Sequence, residues 1–102
     1  MENQDNIALH DKLVRETGRI AWSELQTYFA TGAVIYVSDS LDLIDVAMRI
    51  SQDDKAAVEQ WLQTRQLGRM SDDQAAEWLE MEATVWSVVV NPWILVQQVT
   101  PL

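Results

Sequence analysis

The sequence predicts a single α+β domain: about five short helices packed on a small, mainly antiparallel β-sheet that closes with a C-terminal strand pair. Three observations point there. Apolar residues recur at helical spacing, behind capping residues, through most of the chain. Two β-branched, aromatic runs occupy its end. Strands and helices do not alternate in the regular βαβ manner that builds a doubly wound sheet. With 102 residues, 48% of them hydrophobic, there is material for one core and no room for a second.

Residues 1–6 are acidic and polar and are expected to fray, leaving 7–99 as the domain and 100–102 as a C-terminal tail. From Ile7 to Thr17, Leu9 and Leu13 lie four apart, and Gly18 is placed to end a helix. Ser23-Glu24-Leu25-Gln26 matches a capping box, with Trp22, Leu25 and Phe29 at helical spacing and Gly32 as the stop. Ala33 to Val37 is β-branched and aromatic, bounded by Gly32 and Ser38-Asp39-Ser40, and reads as a strand. Leu43, Val46, Ala47 and Ile50 form the stripe of the next helix.

Ser51 and Asp53 offer caps for a following helix that would bury Ala57, Val58, Trp61 and Leu62. A short edge strand is expected within Leu67–Met70, then a second capping box at Ser71-Asp72-Asp73-Gln74 backed by Ala75, Trp78 and Leu79. The runs Val85–Val90 and Trp93–Val99 read as an antiparallel pair. Between them Asn91-Pro92 cannot form a tight primed turn, which leaves a wider turn, a cis-Pro turn or a kink.

Sixteen acids against seven bases give a net charge of −9. From Met70 onward there is no Lys or Arg, while Asp72, Asp73, Glu77, Glu80 and Glu82 contribute five negative charges. Such a field repels phosphate backbones, so nucleic acid is not an expected partner. The longest unbroken apolar run, Ala33–Val37, is too short for a bilayer, and no basic-then-apolar leader opens the chain. No cysteine is present, which removes disulfides and thiolate metal sites and agrees with a cytoplasmic protein.

The residues suited to chemistry all have simpler explanations. His10 is the single histidine and sits on a polar helix face; no role is assigned to it. Asp39, Asp42 and Asp45 recur every third residue, yet they lack the alternation and central glycine of a calcium loop. Acids at helix starts complement free amides and the helix dipole. The three glycines, Gly18, Gly32 and Gly68, are accounted for as helix ends, and the serines as caps and turn residues. No catalytic residue, metal centre or cofactor is therefore expected.

Five tryptophans are the one unusual count. Most should be core, but tryptophan concentrates at interfaces and ligand grooves. Trp22 and Trp93, at element boundaries, are candidates for an interaction surface, and the final strands add Trp86 and Val89. Both faces of those strands are largely apolar. Helices on one side would leave the other face exposed for a second copy or a protein partner; alternatively the helices divide and cover both.

The segments Ile20-Ala21-Trp22-Ser23-Glu24-Leu25, Leu41 to Ala47, Asp53-Asp54-Lys55 and, above all, Val88 to Gln97 with its Pro-Trp-aliphatic-Val-Gln run resemble a small bacterial family, domain of unknown function 2288. The resemblance spans about Asp11 to Gln97 and implies a bacterial source and one self-contained domain. It implies no activity, cofactor or catalytic residue. The first functional expectation is a non-enzymatic interaction or accessory module of the bacterial cytoplasm. The alternative is a small-molecule-binding domain or enzyme with a carboxylate-based site drawn from Glu24, Asp42 and Asp45. A third is an acidic mimic of nucleic acid.

Overall fold

The computed structural model describes residues 2–99, with side chains from residue 7 onward; Met1 and the expected tail at 100–102 lie outside the described residues. The elements run α1 (Glu2–Glu16), β1 (Gly18–Ala21), a 3-10 turn (Trp22–Leu25) leading into α2 (Gln26–Ala30), β2 (Val34–Val37), α3 (Leu43–Ser51), α4 (Lys55–Gln63), β3 (Leu67–Arg69), α5 (Asp72–Glu80), β4 (Thr84–Val90) and β5 (Trp93–Gln98). This is the expected α+β class. The strands form one sheet in the order β1-β4-β5-β2-β3. All neighbours are antiparallel except β5 and β2, which run parallel.

Two apolar clusters, one on each face, explain the strand sequences. Val88 and Leu95 pair across β4 and β5 and point to the first face, with Ile35 beside them in β2. There they meet Leu13 of α1, Leu43, Val46 and Ala47 of α3, and Val58 and Trp61 of α4. Val85, Val96, Val34 and Tyr36 point the other way, toward Trp22, Leu25, Phe29 and the α5 residues Ala75 and Trp78. The helices thus divide between the faces, and the one-sided arrangement is set aside. Two-sided cover is what the unbroken apolar character of β4 and β5 demands.

Local signals account for the helix boundaries. Asp42 accepts the Ile44 and Asp45 amides at 2.9 and 3.2 Å and so starts α3. Asp54 accepts the Ala57 amide and starts α4, and Ser71 accepts the Gln74 amide at 3.1 Å and starts α5. Four helices end in paired backbone bonds closed by a left-handed residue. At Gly32, for example, the Gly32 and Ala33 amides return to Phe29 and Tyr28. The other three use Asp53, Arg65 and Glu82, with φ of 57°, 61° and 51°.

Several local expectations are corrected. Gly18 and Gly68 lie within strands, not at helix caps. Ser51 belongs to α3, and the capping box at Ser23 does not form. The chain there is fixed by Trp22, whose amide donates to the Ala83 carbonyl at 2.9 Å, and it winds as a 3-10 turn without a side-chain cap. The first helix begins at Glu2 instead of Ile7, and β1 was not foreseen. The Asn91-Pro92 peptide is cis, within a two-residue connection between Val90 and Trp93.

Two predictions follow from the caps. Ser71→Ala should lower stability by about 0.5–2 kcal/mol, read from the urea midpoint, because one α5 amide loses its acceptor. The Asp54 carboxyl is held below its ordinary range by the Ala57 amide and then by the Arg49 guanidinium at 2.9 Å. A depressed carboxylate stabilises the fold above its unfolded pKa and loses that contribution as pH falls through the folded value. Stability should therefore decline on acidification, and an Asp54→Asn chain should show a shallower decline over the same interval.

Candidate functional site

The cleft that the fold builds around the expected Trp93 lies on the first face, between α4 and the sheet. Helix α4 presents Lys55, Val58, Glu59 and Leu62 at positions i, i+3, i+4 and i+7, so all four share one side. The expectation that α4 buries Val58 and Leu62 is only partly met. No residue of α4 is fully buried, and Leu62 is 49% exposed. The helix stands off the sheet, and the gap beneath it is a cleft of about 380 Å³. Ile35, Leu67 and Trp93 supply the sheet side, Ile50 closes the α3 end, and Gly68 and Arg69 of β3 form the outer lip.

Charge is arranged at the mouth. Asp53, in the left-handed turn before α4, flanks the cleft together with Lys55 and Glu59, while Arg69 stands on the sheet side. Among the described residues none of these four side chains enters a hydrogen bond or ion pair. Asp54 also lines the cleft but is occupied by the Ala57 amide and by Arg49. Asp54 first, and then Asp45, raise the Arg49 guanidinium above its ordinary value, so this trio is committed to joining α3 to α4.

The other expected surface residues are dispersed. Trp22 is fully buried and belongs to the core of the second face. Its indole N–H donates to the Ala75 carbonyl at 3.0 Å, and its ring meets Phe29 and Trp78 edge-on at 5.8 and 5.5 Å. It cannot contact a partner. Trp86 is half-buried on the first face under the Arg19 guanidinium, 5.0 Å from its ring. It lines a shallow second recess with Asp42 and Gln97, whose amide holds the Ser38 and Leu41 carbonyls at 2.9 and 2.7 Å. Val89 is 56% exposed on the second face. Only Trp93 enters the cleft.

Nor are the suspected carboxylates brought together. Glu24 is exposed on the 3-10 turn over the second face, whereas Asp42 and Asp45 belong to the start of α3 on the first. Among the described residues no group of three or more His, Asp or Glu is placed to hold a metal. His10 is exposed on α1, 3.9 Å from Asp11. Sequence reasoning passed over Lys55, Leu62 and Arg69. The available signal was the shared α4 side of Lys55, Val58, Glu59 and Leu62, charged at one end and apolar at the other.

Among the described residues no helix is long and apolar enough to cross a membrane. No curated protein matches the chain. The NMR solution structure of PA1075 from Pseudomonas aeruginosa superposes with a TM-score of 0.81 at 40% identity, covering 92% of this chain and 87% of that one. A family model described as "Protein of unknown function (DUF2288)" matches residues 8–98, and the chain belongs to that family.

Proposed function

We propose that the chain is a non-enzymatic binding module, of the interaction or accessory kind, acting in the bacterial cytoplasm through the cleft between α4 and the sheet. The observation that carries this reading is an apolar cleft of about 380 Å³ holding Trp93, of a size ordinary for ligand sites, with its free charges confined to the mouth. A carboxylate-centred reaction is disfavoured. Glu24 sits on the other face from Asp42 and Asp45, and Asp42 is occupied as a helix cap. The acidic, cysteine-free composition supports the cytoplasmic setting.

A second contact surface is favoured by one observation. Val89 is 56% exposed on the second face of β4, between Val88 and Val90, which are buried on the first, and this suits self-association or a protein partner at the second face.

Leu62→Trp should fill the cleft from its exposed rim and leave the fold intact by circular dichroism. Tagged wild-type and variant chains, expressed in the native host, are then compared by mass spectrometry of the proteins and metabolites they retain. A species held by the wild type and lost from the variant is expected; equal retention overturns the assignment to the cleft. Val89→Asp should change stability by less than about 1 kcal/mol, because the side chain is already in water. Light scattering at high concentration should find the wild type associated and this variant monomeric; a monomeric wild type overturns self-association.

A further inference from the structure

The mouth of the cleft is electrically polarised, and this restricts what can occupy it. On the helix side Asp53 and Glu59 flank Lys55, one net negative charge; on the sheet side Arg69 stands alone. Arg69 pairs with Ile35 across β2 and β3, so both side chains leave the strands on the first face, where Arg69 lines the cleft at the sheet edge and its guanidinium reaches toward Gly32, near the start of β2. None of the four charges is neutralised by a neighbour among the described residues. A purely anionic ligand would meet Arg69 but be repelled by the helix side, and a purely cationic one the reverse. A ligand carrying both charges next to an apolar body satisfies the two walls at once.

We propose that the cleft binds a small apolar zwitterion of the amino-acid kind, with its carboxylate at Arg69, its ammonium toward Asp53 and Glu59, and its side chain over Trp93. The planar guanidinium suits a carboxylate, and the indole gives the apolar body a rigid surface. This rests on the cleft being the binding element, and the measurement below separates the two ideas.

The test is a titration of the isotope-labelled full chain, followed by amide and indole NMR signals, with L-phenylalanine, L-leucine, hydrocinnamate and phenethylamine. The last two keep the phenyl body but carry a single charge each. Saturable shifts are expected at the Trp93 indole and the Gly68 and Arg69 amides. At least one amino acid should bind about tenfold or more tightly than either single-charge probe, since each lost charge-assisted contact weakens binding by roughly that factor. Arg69→Gln should abolish the preference for phenylalanine over phenethylamine, and Arg69→Lys should retain part of it; position 69 is exposed, and the spectra report whether the fold is kept. Equal affinity for all four probes, or no saturable shift with either amino acid, overturns the proposal. If that happens while Leu62→Trp still strips a retained species, the ligand chemistry is wrong and the cleft assignment survives.

Discussion

Leu95 and Val96 are neighbours in β5, point to opposite faces of the sheet, and are both fully buried. That pair sets the constraint on which the architecture depends. A central strand apolar on both sides must be covered on both sides, and a chain of this length has only short helices for the work. Helices α1, α3 and α4 take one face; the 3-10 turn, α2 and α5 take the other. Each layer is thin. The second is held by one anchor, Trp22, whose backbone amide is bonded to Ala83 and whose indole is bonded to Ala75. Two tethers on one buried residue fix the 3-10 turn against α5 and against the turn that follows it, which explains why the local capping signal at Ser23 yields to tertiary geometry.

The same economy shapes the first layer. Three helices must cover the floor formed by β2, β3, β4 and β5, and α4 arrives last. Its start is set by Asp54 and its connection to α3 by Arg49, which bridges Asp45 and Asp54 at 3.4 and 2.9 Å. Its end is set by the turn at Arg65, which feeds directly into β3. With both ends fixed to the periphery, the helix cannot settle fully onto Ile35 and Trp93. The cleft is thus a consequence of where the caps fall. The exposed Leu62 is the residue that would have been buried had the helix closed.

Much of this was legible in the sequence, for identifiable reasons. Stripes such as Leu43-Val46-Ala47 and strands such as Val85–Val90 are decided by burial alone, and burial follows periodicity. Caps at Asp42 and Ser71 are decided by one side chain within three residues of its partner, which is also local. The failures were nonlocal. Four-residue β1 exists because β4 offers it an edge, not because Gly18-Arg19-Ile20-Ala21 has strand character. Trp22 sits at an element boundary, which marks it in the sequence as a surface candidate, yet that boundary is where the second core begins. The parallel pairing of β2 with β5 depends on the path of three helices and two strands between them, which no short window contains.

The left-handed helix stops mostly do without glycine. Three of the four helix stops of this kind use Asp53, Arg65 and Glu82, residue types that adopt positive φ at a cost of about 1 kcal/mol each. The backbone bonds that close each stop are long-range in effect, because they orient the next element: α4 after Asp53, β3 after Arg65, β4 after Glu82. Glycine would relieve the strain but enlarge the unfolded ensemble, so the two effects partly cancel. At Asp53 the charge has a further consequence. The turn that ends α3 also places a carboxylate at the mouth of the cleft, opposite Arg69, so the device that stops one helix supplies half of the charge asymmetry beside the apolar floor.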